Sequence, residues 1–433
     1  MGGQGILIDG DPGKVFDMDI AIGEGTYGEV FKAIIRETGK DCAIKVTEKT
    51  TDEEMIDLEQ EIMILRSCEH FGIVGYLGSW FHARHNRIWM CLEYCSLGSV
   101  SDVMFVGEAR FSETEIKAIT ASMLLALDYL HEKKVIHRDI KAANVLLTES
   151  GVIKLADFGV AAVLTPARPT RRTAIGAPYW MAPEVISEQD YGVKCDVWSL
   201  GITCYELAET NPPHSEVHPM RALFMIPYRP SPTLPNPQKW STDFHDFLAK
   251  CVKKSQDERA TCAQLMEHPF VKDSVMDIRI GVGRSKILEK VVQRALPIIR
   301  EFRKEEPDIV SPSSAARDSR VQSIRIKSNA RVASSMFDEN RPISNVYNPR
   351  SEQNQLLSVR IRADAIESVR MGEWTRGSSQ EIIMRAQSSK KIGVNDMMAL
   401  LGQQPLTEEE SAGSIRIADK ITSNFIRQLD DMI

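Results

Sequence analysis

The sequence contains little that would point to a metal-stabilised, secreted or membrane protein. Its eight cysteines are scattered, none forms a CxxC pair, and no histidine pair stands nearby at zinc-ligand spacing, so we expect buried free thiols. The N-terminus lacks a charged-then-apolar signal segment, and no apolar run approaches the length of a membrane span. A formal net charge of -7 argues against nucleic acid as the main partner. We therefore expect a cytoplasmic protein with no membrane insertion and no nucleic-acid partner.

What the chain does contain is a change of pattern from strands to helices. Residues 15–46 alternate between apolar and polar and are broken by glycines, which is typical of a twisted antiparallel sheet. Residues 53–68 carry apolar side chains among acids and predict one amphipathic helix. Residues 113–132 and 193–210 predict long helices. A strand-rich first part and a helix-rich second part predict an α+β fold of two lobes with a cleft between them.

Composition divides the chain into two lobes, an extension and a tail. We predict a sheet lobe at residues 15–94, a mainly helical lobe at 95–272 and a helical extension at 273–310. Residues 311–391 are rich in Ser and Arg with few aromatics, so they bury too little apolar surface to offset their ordering entropy, and we predict disorder. Residues 392–433 regain helical spacing. Because so short a helix is marginal alone, we predict that it docks on its own chain, on a second copy as a homodimer, or on a different protein.

One stretch of the chain carries chemistry. Residues 137–144 read His-Arg-Asp-Ile-Lys-Ala-Ala-Asn, and an Asp-Phe-Gly triplet follows closely. The order supplies an acid, a cation, an amide and a second acid, as metal-assisted phosphoryl transfer requires. Asp139 is predicted to accept a hydrogen bond from a substrate hydroxyl, and Lys141 to neutralise the moving phosphoryl charge. Asn144 and Asp157 are predicted to hold Mg²⁺. These spacings predict a protein kinase.

A glycine-rich stretch near the start of the domain fits the same reaction. Its pattern, GxGxxGxV, lets the backbone fold over nucleotide phosphates without a Cβ in the way. The pattern also occurs in dinucleotide-binding folds, where the glycines open a helix. Here it lies in a predicted hairpin and precedes Ala-Ile-Lys at residues 43–45, an order that favours a kinase. The predicted ATP-binding residues are Ile22, Gly23, Gly25, Gly28, Val30, Ala43, Lys45, Glu61, Glu93 and Cys95.

Lys45 is predicted to grip the α- and β-phosphates of ATP. A lysine in an apolar strand needs a partner, and two acids of the predicted amphipathic helix compete for it, Glu59 and Glu61. We favour Glu61 because it directly precedes the apolar residues that must pack against the sheet. Residues 93–95 are predicted to form the hinge whose backbone groups bind the adenine edge.

Two further features refine the kinase prediction. Lys141, two residues after Asp139, is typical of serine/threonine kinases, so we expect a Ser or Thr acceptor hydroxyl in a protein substrate. Glu184 is predicted to pair with Arg259 deep in the helical lobe, in a structural role. The alternatives are a pseudokinase scaffold and a small-molecule kinase. The complete catalytic set speaks against the first, and the Ala-Pro-Glu segment at residues 182–184 speaks against the second.

With these motifs in place, the domain resembles the Hippo-type members of the sterile-twenty-like, germinal-centre kinases. The resemblance rests on residues 93–95, 98–102, 179–186 and 218–227, and the last stretch is the most telling because a generic kinase does not require it. It implies a bilobal kinase that uses ATP and Mg²⁺, is activated by phosphorylation in trans and acts within a signalling cascade. Val160, directly after Asp-Phe-Gly, is β-branched, which in related kinases accompanies threonine preference.

The resemblance also implies a regulatory phosphorylation site. Its position in this sequence is Thr173. A phosphate there adds charge that Arg138 can pair with, next to Asp139. Thr165 and Thr170 are weaker candidates for the same role.

Ala177 departs from the family, which has threonine at this position. The family's hydroxyl bonds the residues that correspond to Asp139 and Lys141 and helps to position the acceptor. We therefore expect a slower kinase rather than an inactive one. The end of the chain is the second departure. Residues 395–433 have about the length and position of the family's hooked pair of dimerisation helices, but Ala-Gly at 412–413 interrupts the long helix.

Overall fold

The computed structural model describes residues 7–8, 10–25, 28–48, 52–82, 85–106, 110–165, 170–171 and 176–304. The predictions made for Thr173 and for residues 311–391 and 392–433 lie outside these described residues.

An antiparallel sheet forms the N-terminal lobe. Its strands are β1 (Phe16–Gly25), β2 (Gly28–Ile35), β3 (Lys40–Glu48), β4 (Tyr76–His82) and β5 (Arg87–Glu93). Their order across the sheet is β1-β2-β3-β5-β4, so β5 lies between β3 and β4. The predicted antiparallel sheet is confirmed, and its central strand β3 carries Lys45.

Helix α1 (Asp52–Ser67) connects β3 to β4. Leu58, Ile62 and Leu65 are buried, and their spacing of three to four residues places them on one face of the helix. Glu61 follows Leu58 by three residues, so it shares that face and is buried as well. The helical spacing of α1 therefore places the Glu61 carboxylate in the interior of the lobe, facing Lys45 of β3.

Helices build most of the C-terminal lobe. They are α2 (Val100–Val106), α3 (Glu113–Glu132), α4 (Pro183–Ile186), α5 (Lys194–Glu209), α6 (Pro219–Met225), α7 (Thr242–Cys251), α8 (Cys262–Met266), α9 (Lys272–Ile280) and α10 (Lys286–Lys304). Two short antiparallel pairs join them, β6 (Val135–Ile136) with β9 (Ala162–Val163) and β7 (Val145–Leu147) with β8 (Ile153–Leu155). A sheet lobe followed by a helical lobe is the predicted α+β, bilobal fold, which is confirmed.

Helix α3 is the central support of the helical lobe. It begins at Glu113 because Ser112 and Glu115 form a capping box, in which the Glu115 carboxylate accepts from the Ser112 amide at 2.8 Å. Ala118, Leu124 and Leu127 are fully buried, and α3 contacts α5, α8, α9 and α10. A helix packed on so many sides gives the loop that follows β6 a fixed starting point.

The last two helices extend this packing. Helix α10 is amphipathic: Leu288, Val291 and Ala295 recur at helical spacing and are buried. On its outer side Arg294 donates to Glu115 at 2.9 Å. The predicted bounds of the lobes and of the helical extension stay predictions. Among the helices in the described part of the chain, none combines the length and the apolar character that crossing a membrane requires.

A buried ion pair joins two parts of the helical lobe. Arg259 donates through Nη1 to Glu184 Oε1 at 2.6 Å and through Nη2 to Glu184 Oε2 at 2.9 Å. Arg259 also donates to the carbonyl of Lys194 at 2.9 Å, at the start of α5. Both charged residues are almost fully buried. The predicted Glu184–Arg259 contact is confirmed, in the bidentate geometry that suits guanidinium and carboxylate.

Candidate active site

The loop between β6 and β7 holds a carboxylate with one unused oxygen. Asp139 is 2% exposed. Its Oδ2 lies 3.0 Å from Lys141 Nζ and accepts from Asn144 Nδ2 at 2.8 Å. Its Oδ1 is buried and has no hydrogen-bond partner among the described residues. A buried carboxylate oxygen normally has a hydrogen-bond partner. Asp139 Oδ1 is therefore available to accept a hydrogen bond from a bound molecule.

The backbone of this loop is fixed from below by Asp196 in α5. Its Oδ2 accepts the amide of His137 at 2.9 Å, and its Oδ1 accepts the amide of Arg138 at 2.8 Å. His131 Nε2 lies 2.9 Å from the same carboxylate. Burial alone would raise the pKa of Asp196, but the bond to His131, the charges of His131 and His137 and the bond from the His137 amide outweigh it and lower the pKa. A fully ionised Asp196 therefore holds the two residues that precede Asp139.

In the N-terminal lobe, Lys45 meets two carboxylates. Its Nζ lies 2.7 Å from Glu61 Oε1 and 3.5 Å from Asp157 Oδ1. Burial opposes the charge on Lys45, yet the two carboxylates outweigh it and raise the pKa of Lys45 above its ordinary value. The structure thus pairs Lys45 with Glu61, the acid that the sequence favoured, and not with Glu59. The Lys45 ammonium also lies near Asp157.

Asn144 and Asp157 provide donors that suit a magnesium ion. The Asn144 amide nitrogen donates to the Asp139 carbonyl oxygen and to Oδ2, both at 2.8 Å, so the amide oxygen is the atom left for a metal. Asp157 is held at a positive φ of 62°, a strained backbone found at functional sites. Among the described residues no group of three or more His, Cys, Asp or Glu could hold a metal. Two oxygen ligands fit Mg²⁺, which commonly binds through few protein groups together with substrate phosphates.

The glycine-rich strands and the hinge border this site. Gly23 pairs with Val30 and Gly25 with Gly28 across β1 and β2, and residues 26–27 lie outside the described part. Next to them, Ala43 is buried in β3.

Ile22 is half-buried in β1. In the hinge, the Glu93 carboxylate accepts the Gly75 amide at 3.1 Å and lies 2.7 Å from Lys154 Nζ. Cys95 is buried. The Glu93 side chain is therefore engaged within the protein.

The segment between Asp157 and α4 adjoins the catalytic loop. Arg138, predicted to pair with a phosphate on Thr173, donates through Nε to the Val160 carbonyl at 2.5 Å. A Cβ on Gly176, whose φ is 134°, would stand 2.6 Å from the Arg138 carbonyl. The next residue, Ala177, is 5% exposed. Ala177 is therefore buried directly after a residue that packs against the backbone of the loop carrying Asp139.

Two acids of α5 support this loop without having been predicted. Asp196 accepts the amides of His137 and Arg138, and Glu206 accepts the amide of Ala142 at 3.0 Å. Both are buried charges in an otherwise apolar helix. That pattern, which requires a partner for each charge, was the available signal.

Comparison with known proteins identifies the family to which the chain belongs. Residues 16–271 match the family of protein kinase domains, and this match covers more than half of the 433 residues. The chain therefore belongs to the protein kinase family. The sheet lobe and the helical lobe are those of a protein kinase domain.

Its catalytic domain is similar to Hippo-type kinases. It is 49% identical over 281 residues to serine/threonine-protein kinase cst-1 of Caenorhabditis elegans, which covers 64% of this chain and 56% of that protein. It is 48% identical over 263 residues to serine/threonine-protein kinase hippo of Drosophila melanogaster, covering 61% of this chain and 39% of that protein. The predicted resemblance is confirmed. The chain spans less than two thirds of the length of these curated relatives.

Proposed function

We propose that this protein transfers the γ-phosphate of ATP to serine and threonine hydroxyls of protein substrates. The observation that carries the proposal is the state of Asp139. One oxygen is held by Lys141 and Asn144, and the other is buried without a partner in the described structure. That free oxygen suits the hydroxyl of an acceptor side chain.

The proposed reaction assigns a task to each residue. Lys45, held by Glu61, binds the α- and β-phosphates. Asp139 Oδ1 orients the acceptor hydroxyl and takes its proton as the oxygen bonds to the γ-phosphorus. The bond from the γ-phosphorus to the bridging oxygen breaks, and its electron pair leaves with ADP. Lys141 stabilises the charge on the transferred group.

A divalent ion completes the proposed site. Asn144 and Asp157 would hold Mg²⁺, which neutralises charge on the β- and γ-phosphates when bound. The contact of Asp157 with Lys45 keeps this carboxylate on the nucleotide side. Ile22, Gly23, Gly25, Gly28, Val30 and Ala43, with backbone groups of Glu93 and Cys95, would enclose the nucleotide.

The experiment that tests the activity is transfer of labelled phosphate from ATP to a generic basic protein, followed by acid hydrolysis. Label on phosphoserine or phosphothreonine is the expected result. Label on neither would contradict the proposal.

We further propose that threonine is preferred as the acceptor, on the basis of Val160. Paired peptides that differ only in Ser or Thr would show this preference as a higher kcat/KM for the Thr peptide.

Phosphorylation of Thr173 is the proposed activating step. Its phosphate would pair with Arg138, one residue before Asp139, so replacing Thr173 by Ala is expected to lower kcat about tenfold or more. The measurement is kcat on a generic substrate after preincubation with ATP. Thr170→Ala is the matched control, because the Thr170 hydroxyl already donates to Asp190 at 2.9 Å. Equal rates for Thr173→Ala and the unsubstituted chain would refute the assignment.

Ala177→Thr is expected to raise turnover by a few-fold to about tenfold. In the family that this chain resembles, a threonine hydroxyl at this buried position bonds the residues that correspond to Asp139 and Lys141. The added hydroxyl would therefore hold the carboxylate that is proposed to orient the acceptor. Ala177→Val adds the same volume without a hydroxyl, so it separates the hydrogen bond from packing. If Ala177→Thr has the turnover of the unsubstituted chain, the hydroxyl is dispensable here.

Location, partners and assembly are also proposals. All eight cysteines are free thiols, which supports a location in the reducing cytoplasm. The similarity to Hippo-type kinases supports protein substrates in a signalling cascade. We propose homodimerisation through residues 392–433. Sedimentation is then expected to give the mass of a dimer for the full chain and the mass of a monomer when those residues are removed.

A further inference from the structure

A cavity of about 500 Å³ lies between the hinge, the turn that joins β7 to β8, and the turn that joins α9 to α10. It shares Glu93 with the proposed nucleotide site, but Lys45, Asp139 and Asp157 are not among its lining residues. Its volume is in the range of cavities that bind small molecules. The proposed phosphate transfer gives this cavity no task.

The lining combines apolar side chains with carboxylates, and the main ones are Phe71, Val152, Val282, Asp41, Glu93 and Glu149. Lys154 and Arg284 also line the cavity, and Lys154 already pairs with Glu93 at 2.7 Å. The other two carboxylates make exposed ion pairs, Asp41 with Lys32 at 3.2 Å and Glu149 with Arg300 at 2.8 Å. A carboxylate has several acceptor positions, so each of these two can accept a further cation.

The turn between α9 and α10 presents apolar side chains next to the cavity. Val282 has a φ of 49°, a backbone conformation that β-branched residues rarely adopt, and its side chain is 70% exposed. Ile280, two residues earlier, is 78% exposed. A Cβ on Gly283 would stand 2.6 Å from the Phe71 ring, so the turn packs closely on that wall of the cavity. Strained backbone and clustered exposed apolar side chains are both typical of binding surfaces.

The described part of the chain ends near this cavity. Helix α10 starts two residues after Arg284, which lines the cavity, and ends at Lys304. Arg300, close to that end, donates to Glu149 of the lining at 2.8 Å. The residues that follow Lys304 in the sequence are therefore tethered close to the cavity.

The tail contains a short repeated pattern that suits such a surface. Residues 323–326 read Ser-Ile-Arg-Ile, and the pattern recurs as Ser-Val-Arg-Ile at 358–361 and Ser-Ile-Arg-Ile at 414–417. In an extended segment, successive side chains point to opposite sides. The two isoleucines of the first repeat would then share one side, and Arg325 would take the other. This separation matches a lining that has both apolar and acidic groups.

We propose that the cavity is a docking site for residues 323–326 of the chain's own tail. Ile324 and Ile326 would cover Phe71 and Val282, and Arg325 would meet Glu149. The first repeat begins nineteen residues after Lys304, and a linker of that length spans up to roughly 65 Å, so the segment can reach the cavity.

The tether makes even a weak contact effective. A short linker gives an effective concentration of about 1 mM. A segment with a dissociation constant of about 100 µM would then be docked in about nine molecules out of ten.

Hydrogen exchange in the full chain tests the docking directly. Replacing both Ile324 and Ile326 by Asp is expected to speed amide exchange severalfold at residues 148–154 and 280–284, because the cavity then loses its cover. Ile343→Asp changes a tail isoleucine outside the repeated pattern and is the matched control, with no change expected. Equal exchange in the double variant and the unsubstituted chain would overturn the proposal.

A peptide measures the same contact from outside. A fluorescent peptide of residues 319–330 is expected to bind the Ile324→Asp, Ile326→Asp chain about tenfold more tightly than the unsubstituted chain, whose own segment competes for the cavity. A peptide with R325E is expected to bind severalfold more weakly, because its charge opposes that of Glu149.

A further substitution locates the peptide on the protein. Adding Val282→Asp to the double variant is expected to weaken peptide binding about tenfold, because it removes apolar contact. Asp adopts a positive φ more readily than Val, so folding is expected to be retained. Met276→Asp, at a 50% exposed position of α9, is the matched control. Peptide binding that Val282→Asp leaves unchanged would place the segment elsewhere and overturn the cavity as its site.

Protein concentration separates this proposal from docking between chains. Protection of the cavity by the chain's own tail is expected to be equal at about 1 and 50 µM protein, because the linker sets the effective concentration. Protection that increases with protein concentration would assign the cavity to a second copy and overturn docking within one chain. None of these readouts uses phosphate transfer, so failure of the proposed kinase function would leave them unchanged.

Discussion

Replacement of Asp139 by Asn is expected to lower kcat by about 10²–10⁴-fold, the usual contribution of a positioned general base. The substitution keeps the shape of the side chain but removes its charge. It also places an amide next to Lys141, whose Nζ lies 3.0 Å from the present carboxylate. The free oxygen that is proposed to accept the substrate hydroxyl loses its basicity.

The nucleotide half of the site is expected to remain intact in this variant. Lys45, Glu61 and Asp157 keep their contacts, so calorimetry is expected to give an unchanged affinity for ATP. Asp273→Asn, at an exposed position in the first turn of α9, is the matched control and is expected to be fully active. A turnover of Asp139→Asn within a few-fold of the unsubstituted chain would remove Asp139 from the mechanism.

Replacement of Arg259 by Ala is expected to destabilise the catalytic domain by about 3–5 kcal/mol, because it leaves the Glu184 carboxylate buried without its partner. For a domain of this size the melting temperature is expected to fall by about 10 °C. Differential scanning calorimetry would measure both values. The bidentate contact and the additional bond to the Lys194 carbonyl place Arg259 where three chain segments meet.

A surface pair supplies the comparison for this prediction. Arg294 donates to Glu115 at 2.9 Å, but its side chain is 43% exposed, so Arg294→Ala is expected to cost less than about 1 kcal/mol. Equal losses from the two substitutions would show that the Glu184–Arg259 pair is not a major source of stability.

Much of the fold could be predicted because its signals are local. Helix α3 has the predicted bounds of residues 113–132, because Ser112 and Glu115 mark its start and apolar residues fill its length. The choice of Glu61 over Glu59 also followed from local phase, since Glu61 shares the buried face of Leu58 and Ile62. The order of the strands was not predictable in this way. Strand β3 pairs with β5, although α1 and β4 lie between them in the chain. The local sequence of a strand does not indicate which distant strand it pairs with.

The same contrast holds within the candidate site. The spacing of residues 137–144 predicted which chemical groups stand together, and the structure brings Asp139, Lys141 and Asn144 into contact. The supports of that loop come from α5, more than fifty residues later in the chain. Asp196 and Glu206 bind backbone amides, which every residue has, so the sequence gives no partner for them. Only the packing of α5 beneath the loop shows what each carboxylate holds.

Phosphate transfer from ATP, measured in the presence of Mg²⁺ on a generic basic protein, tests the central claim most directly when the purified chain is compared with its Asp157→Asn variant. We expect transfer by the unsubstituted chain and loss of that transfer in the variant, because Asp157 is the charged ligand proposed for the metal. Equal transfer by both proteins would contradict the proposed site. No transfer by either, with ATP binding retained, would contradict the proposed activity and favour a scaffold that binds nucleotide without turning it over.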